Sequence, residues 1–388
     1  MLDTASVRQQ FPAVQKTVYF NTGFDGPSPL PVLRAMQQRL ELETMEGPTT
    51  QHVQEAGREL TTKAKAAIAG MVNVSPDEIH LTQNTMEGLN IILNGVQWKP
   101  GDELITVSIE YPSVMVLALH IQRRYGVKVR IVEISPTEAS QSIVAKIGEA
   151  VNPRTRMIFL SHVHFLNGMR MPGEEISSIA HRNGVQVLLD GAQGPGNVVL
   201  DLHGMGVDFY SMPGQKWICG PDGIGALYVR KDNIAGLLPA YAAARAAKSW
   251  LPTGEWVPED ESIAKFQLTT SNAAIRAGYV EAINYLQSVG LTNIQDHNTQ
   301  LATAMKRALR TIPNVTLHSP DAPPAATSMV TFGIEGKAPR DIVNALWQDK
   351  KVVCRTIEPL HGVRLSLHLF NTEQEVAMVA DEIRKMAR

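Results

Sequence analysis

Between about residue 75 and residue 230, short apolar runs alternate with amphipathic stretches. That order is met by a mainly parallel sheet with helices packed on its faces. The runs are Glu78 to Thr82, Glu103 to Val107, Val127 to Val132, Met157 to Ser161, Val185 to Asp190, Phe209 to Ser211 and Ile224 to Val229. Val114 to Arg124 and Gly173 to Arg182 are helical stretches between them, the mark of βαβ units. Two further helices, Pro31 to Glu46 and Gln51 to Met71, precede this core, and a Gly/Pro-rich loop, Asn21 to Pro29, precedes those. Behind it, helices near Ala273 to Ser288 and Asn293 to Arg310 lead to a tail with strand-like Met329 to Phe332, Val352 to Arg355 and Val363 to Ser366. The expected division is an N-terminal segment, 1–30, a large α/β domain, 31–270, and a smaller α+β C-terminal domain, 271–388, on which the first segment packs.

A chain of 388 residues has room for more than one core. The net charge of -2 gives no basic field for nucleic acid or anionic lipid, so a small-molecule partner is expected. The N-terminus carries Asp3 and Arg8 without an apolar core, and no run reaches membrane-spanning length, so the expectation is a cytoplasmic protein. Cys219 and Cys354 are too few for a disulfide framework and lack metal-ligand spacing, which leaves them as buried free thiols.

Ligands of open parallel sheets sit outside the carboxyl ends of the strands, so polar residues that close apolar runs are the ones to collect. Asp190 closes Val187-Leu188-Leu189, where its carboxylate could pair with a ring nitrogen or simply cap a turn. Lys216 stands in Gly214-Gln215-Lys216-Trp217, just before the glycine-rich Gly220 to Gly225; alone it reads as a solvated charge. That stretch is not a dinucleotide fingerprint, which weighs against a nicotinamide enzyme. Asn84 to Gly88 follows a strand and opens a helix, a place suited to phosphate as well as to an ordinary helix cap. Arg355 and Arg364 end two short runs, where either a substrate carboxylate or a structural ion pair would use them.

In order, these residues resemble the class V aminotransferases among the fold-type I enzymes of pyridoxal 5'-phosphate (PLP), the group of cysteine desulfurases, cystine C-S lyase and isopenicillin N epimerase. The resemblance runs from Tyr19-Phe20-Asn21-Thr22-Gly23 through Asn84 to Gly88, Asp190 to Gln193 and Val207 to Trp217, and ends with Arg364 and Asn371-Thr372-Glu373. It implies a large, mostly parallel seven-stranded PLP-binding domain sandwiched by helices. Lys216 would carry PLP as a Schiff base and then move protons at the substrate α-carbon. Asp190 would pair with the ring nitrogen, Gln193 would reach the ring hydroxyl, and Tyr111 would stack on the ring. Thr85, Met86 through its backbone, and Gln215 would hold the phosphate, with Thr270 reaching the phosphate of a neighbouring subunit in a homodimer. Asn167 would lie near substrate and cofactor oxygens, while Asn21, Gly23, Arg355 and Arg364 would meet a small amino acid.

Three departures carry consequences. Gln215 and Pro213 stand where many relatives have His and a hydroxyl residue, and Met86 replaces a frequent Thr, so the phosphate cup has fewer hydroxyl donors. Weaker PLP retention follows, unless Thr270 and backbone N–H groups compensate. The stretch Arg355 to Gly362 contains no thiol, so a persulfide-forming cysteine desulfurase is not expected.

PLP supplies the electron sink that an α-carbanion needs, and the protein selects the outcome by alignment and proton return. The paired arginines, the thiol-free loop and Gln51-His52-Val53-Gln54 favour β-elimination of a sulfur substrate, with aminotransfer and epimerisation as alternatives. His52, His162, His164, His361 and His368 are candidate second acids or bases, although a structural role is the expectation for each. Retention of Lys216, Asp190 and Arg364 argues against an inactive scaffold.

Overall fold

The computed structural model describes residues 2–388. Its large sheet contains β1 (Ile79–Thr82), β2 (Glu103–Val107), β3 (Lys128–Val132), β4 (Thr155–Ser161), β5 (Gln186–Asp190), β6 (Phe209–Pro213) and β7 (Gly225–Val229). Their spatial order is β1-β7-β6-β5-β4-β2-β3. Strand β7 runs antiparallel to both neighbours, and the other pairings are parallel.

The continuous apolar runs follow from burial on both faces. Alternate residues serve two cores: Ile105, Ile158, Val187 and Leu189 face one, whereas Leu104, Met157, Phe159 and Leu188 face the other. The parallel strands therefore deliver their C-terminal residues to a single edge. Asp190, Ser161, the Gln215-Lys216 segment after β6 and the helix Thr85–Gly95 after β1 all gather there.

A second, four-stranded antiparallel sheet consists of β8 (Val315–Leu317), β9 (Met329–Ile334), β10 (Arg355–Ile357) and β11 (Gly362–Ser366), ordered β8-β9-β11-β10. A separate apolar core packs it against helices Leu291–Arg310, Pro339–Lys350 and Glu373–Met386. The run read as one strand, Val352 to Arg355, is broken at Cys354. Val352–Val353 instead pairs in parallel with Val18–Tyr19, while Arg355 begins β10. This parallel pair, an Arg8–Glu375 ion pair at 2.7 Å and a bridge from Asn21 to Ser366 tie the first residues to the tail.

The turn after β5 is moulded on one side chain. A Cβ on Gly191 would lie 1.9 Å from Tyr210 Cε1, and one on Gly194 would lie 2.1 Å from Tyr210 Oη. Tyr210 is itself fixed by His162, whose Nδ1 lies 2.9 Å from the phenol oxygen. Gly191→Ala should therefore destabilise the fold by about 1–3 kcal/mol through overpacking. Its urea-unfolding midpoint is the measurement, and an unchanged midpoint would show that the turn can yield.

Candidate active site

The gathered strand ends open into a cleft of about 320 Å³ lined by Lys216, Asp190, Gln193, Tyr111, Thr85 and Met86, with Gly23, Gln215, Arg355 and Arg364 completing its wall. Asp190 is only 4% exposed. Its Oδ1 accepts the Ala192 N–H at 2.8 Å, and no protein donor reaches Oδ2 among the described residues. Burial raises its pKa, against the lowering effects of the Ala192 hydrogen bond and of the Lys216 charge. A cation brought to Oδ2 would relieve that cost.

The Lys216 loop is pinned from two sides. Gly214 N–H donates to the Ile224 carbonyl at 2.8 Å, and Gly26 N–H donates to the Gln215 carbonyl at 2.8 Å. Burial pulls the Lys216 ammonium down to about 8; Asp190 opposes this, Arg364 and Arg355 reinforce it, and Asp25 opposes it. The resulting amine is a nucleophile near neutral pH.

Gln193 is oriented at both ends. Its Nε2 donates to the Gly23 carbonyl at 2.8 Å, and its Oε1 accepts from Trp217 Nε1 at 2.7 Å, which leaves one amide hydrogen free. Trp217 is in turn held by His368, whose Nε2 lies 2.9 Å from the Trp217 carbonyl oxygen. Burial depresses the His368 pKa to about 3, so the ring is neutral and donates through Nε2. His368 is thus spent on structure.

At the other end of the cleft, helix Thr85–Gly95 begins with Asn84, whose side chain caps Glu87 N–H at 3.0 Å. The first N–H groups, on Thr85 and Met86, have no intrahelical acceptor. Ser211 Oγ donates to the Thr85 carbonyl at 2.8 Å and fixes this start against β6. Gln215 Oε1 is buried without a partner. Tyr111 is 41% exposed and meets the Phe165 ring edge-on, with centroids 5.0 Å apart.

Arg364 is 1% exposed, yet it has no carboxylate partner among the described residues. Nη1 donates to the Phe165 carbonyl at 2.6 Å, while Nε and Nη2 are buried without any acceptor. Burial disfavours its charge first and Arg355 second. A guanidinium nonetheless keeps its proton, so the cleft holds an uncompensated cation.

Several expected residues lie elsewhere. Asn167 is not on the cleft: its Nδ2 donates to the Pro136 and His318 carbonyls at 2.6 and 2.8 Å, and its Oδ1 accepts from Met169 N–H. With both ends of the amide engaged, it holds a turn, and the expectation that it touches substrate and cofactor is corrected. Asn21 also lies off the cleft wall, although its Oδ1 is buried and unpartnered behind it. Thr270 is exposed on a different cavity, beside Lys65 and His80. His52 is exposed and paired with Glu46 at 2.9 Å, and His361 is exposed in a left-handed turn. Neither histidine reaches the cleft, and nor do His162 and His164.

Two carboxylates escaped notice in the sequence. Asp25 lines the cleft, and Glu110 is buried beneath it, accepting Ser161 N–H and Oγ–H at 2.8 and 2.5 Å. Burial raises Glu110 to about 7. Its place just before Tyr111 was the only available signal.

A family model described as Aminotransferase class-V matches residues 19–379. The chain belongs to the class-V aminotransferase family. A probable cysteine desulfurase of Methanothermobacter thermautotrophicus is 29% identical over 99% of this chain and 98% of its own length. Isopenicillin N epimerase of Amycolatopsis lactamdurans is 26% identical over 99% and 98%. The solved complex of the cystine C-S lyase C-DES with its reaction product cysteine persulfide shares a TM-score of 0.89 at 28% identity, covering 97% of this chain and 99% of that one. A C-DES mutant with glycine covalently linked to its PLP cofactor superposes at a TM-score of 0.90 with 27% identity, covering 97% and 98%.

This class-V aminotransferase has the fold-type I architecture, and its cofactor is PLP. The cleft suits that group. It offers a buried carboxylate oxygen without a donor, an amine with a lowered pKa and free N–H groups at a helix start. The expectation that this is not a persulfide-forming cysteine desulfurase is overturned by relatives that carry that name and by the persulfide product of C-DES. A loop without a thiol excludes only a persulfide held on that loop; a persulfide made from the substrate itself needs no such residue. No group of three or more His, Cys, Asp or Glu among the described residues could hold a metal ion, and no helix is long and apolar enough to cross a membrane.

In cofactor-free protein, a small amine-acylating reagent should modify Lys216 ahead of the surface lysines at pH ~8. Near that pH about half of Lys216 is neutral, against under about 1% of an ordinary lysine. Lys306 is also pulled down to about 8, but it is buried with its ammonium donating to the Pro320 and Asp321 carbonyls. Labelling at Lys216, followed by peptide mass mapping, should rise about tenfold per pH unit below pH ~8 and then level off. A profile still climbing past pH ~9 would mean an unperturbed amine.

Proposed function

We propose that this enzyme cleaves the carbon–sulfur bond of a small sulfur-containing α-amino acid with bound PLP. The observation that carries the amino-acid part is Arg364, a buried guanidinium with two nitrogens lacking acceptors in the same cleft as Lys216. A substrate α-carboxylate is its natural complement. The sulfur part is supported by the cystine lyase and desulfurase relatives.

PLP, when bound, withdraws electrons so that the substrate α-carbon becomes acidic. The chain's residues then have distinct tasks. Lys216 would hold the cofactor through its amine, and its free amine would serve as the general base for the α-carbon proton. Asp190 would hold a proton at the ring nitrogen through its unpartnered oxygen. Gln193 would offer its free amide hydrogen to the ring oxygen, and Tyr111 would cover the ring face. The N–H groups of Thr85 and Met86 would bind phosphate with Gln215, and a second copy of the chain would bring Thr270 to the same group. Arg364, helped by the Gly23 backbone, fixes the carboxylate so that the bond to be broken is aligned.

The epimerase relative supports a second reading, in which the proton returns to the opposite face of the same carbon. Incubation of the PLP-loaded enzyme with sulfur amino acids and no oxo-acid acceptor separates the outcomes. Repeated turnover to pyruvate and a sulfur product is expected. One equivalent of oxo acid followed by arrest would instead indicate aminotransfer, and solvent deuterium at a scrambled α-carbon would indicate epimerisation.

Borohydride treatment should fix cofactor to the wild-type chain and not to Lys216→Ala, as read by mass spectrometry. Arg364→Gln should raise KM for the amino acid by an amount equivalent to about 2–5 kcal/mol, with cofactor absorbance unchanged. An equal KM would remove Arg364 from substrate capture.

A further inference from the structure

Two neighbouring strands of the large sheet part before they reach the cleft. β2 pairs with β4 only from Glu103 to Ile105, although both run on, β2 beside β3 to Val107 and β4 beside β5 to Ser161. His162 N–H donates to the Asp190 carbonyl at 2.9 Å, on the β5 side. Successive N–H groups point to opposite sides of a strand, so Ser161 N–H points into the gap that β2 has left. Glu110, just beyond β2, fills that gap. Its Oε1 accepts Ser161 N–H at 2.8 Å, and its Oε2 accepts the Ser161 hydroxyl at 2.5 Å.

The backbone alone does not call for a carboxylate here. Glu110 is buried, no cationic side chain pairs with it among the described residues, and the Asp190 charge acts against its ionisation. A neutral amide would satisfy the same N–H without a second buried anion. What the carboxylate adds is that it takes both donors of Ser161. Ser161 and Asp190 are register partners, so their side chains share one face of the sheet, and both line the cleft. With its hydrogen directed at Glu110, the Ser161 hydroxyl has only lone pairs left for the cleft. A glutamine, or a glutamic acid that carries its proton, donates to that oxygen instead and frees the hydroxyl hydrogen.

We propose that Glu110 is a positioning residue that acts through Ser161: it turns both donors of that serine away from the cleft, so that the floor beside Asp190 offers only acceptors to the N–H of a protonated cofactor ring. The inference rests on the pairing of Asp190 with the ring nitrogen proposed above, and on nothing in the carbon–sulfur chemistry. Burial raises Glu110 to about 7, the Ser161 hydrogen bonds oppose this, Asp190 on β5 adds to it and the Tyr111 N–H opposes it. His162, the residue after Ser161, is pulled down to about 3 by burial and bonded to Tyr210, and the Lys216 charge acts on Asp190. Below its pKa Glu110 holds a proton, and the serine hydrogen is released to the cleft.

The test titrates the cofactor-free, full-length protein by calorimetry with PLP and with deaza-PLP, in which C–H replaces the ring nitrogen. At pH ~8 Glu110→Gln should weaken PLP about tenfold, the scale of one charge-assisted hydrogen bond. Deaza-PLP should bind the variant as it binds wild type, which also reports that the variant is folded. In a Ser161→Ala background the same change should be silent. The wild-type advantage over Glu110→Gln should shrink to about twofold at pH ~6, where roughly a tenth of Glu110 is charged. Equal PLP affinity in Glu110→Gln, or an equal loss of both ligands, would overturn the role; an effect that persists in Ser161→Ala would overturn the route through the serine. Asp190→Asn separates this inference from the reading beneath it. If that variant keeps the preference for PLP over deaza-PLP, the ring-nitrogen pairing fails and Glu110 with it; if it loses the preference and Glu110→Gln does not, only the role of Glu110 falls.

Discussion

Burial of Asp190 at the end of β5, with one carboxylate oxygen satisfied and the other not, is the constraint around which the rest of the large domain is arranged. A carboxylate in a low-dielectric edge needs a cation, and Lys216 is the nearby one that the chain itself supplies. On the roles proposed above, a lysine that held the cofactor would no longer offset that carboxylate, and a protonated ring nitrogen would take its place. On those roles, holding the cofactor and keeping its ring electron-withdrawing would both draw on Asp190. The supports behind it are rigid for the same reason. Tyr210 fills the space under Gly191 and Gly194, and Gln193 is clamped between Gly23 and Trp217.

The small sheet contributes the opposite imbalance. Two arginines stand across from each other on β10 and β11, an arrangement that costs stability in isolation. Burying Arg364 without a carboxylate adds to that cost. The cost is tolerable because the strands carrying the pair are secured elsewhere. Val363 and Leu365 are fully buried in the small-domain core, and Ser366 N–H donates to the Phe20 carbonyl at 2.7 Å. The surrounding core thus offsets the repulsion within the cationic wall, which leaves it available to the anionic substrate group proposed for it.

Much of this could be read from the chain because strand ends are local signals. Asp190 closes an apolar run, and the helix after Thr82 starts where its cap predicts, so both positions and all seven strands of the large sheet were visible in the pattern. What stayed hidden depends on contacts distant in sequence. Asn167 has the right residue type in the right loop, but its amide is consumed by Pro136 and by His318, which lies 151 positions away. Cys354 looked like the middle of a strand because apolar content does not reveal that its two sides pair with different partners. Asp25 was passed over because its neighbours in space, Gln215 and Lys216, belong to another region of the chain. The thiol-free loop misled for a chemical reason: it reports where sulfur is not stored, and the product is decided by the substrate.

The proposed phosphate cup would make good its missing hydroxyl donors without restoring those groups. Pro213 ends β6 opposite Gly225 and can supply neither hydroxyl nor N–H. Ser211, two residues earlier, has a hydroxyl, but it is spent on the Thr85 carbonyl. That bond spends a donor to place the helix start, and the Thr85 and Met86 N–H groups come with it at no further side-chain entropy. Gln215 completes the exchange: with its carbonyl oxygen buried and unpartnered, the amide NH₂ is the end left to the cleft, offering two donors where a neutral histidine offers one. On the proposed roles, cofactor retention in this chain would rest on backbone and amide N–H more than on hydroxyl groups, with the positive end of the helix turned to the phosphate.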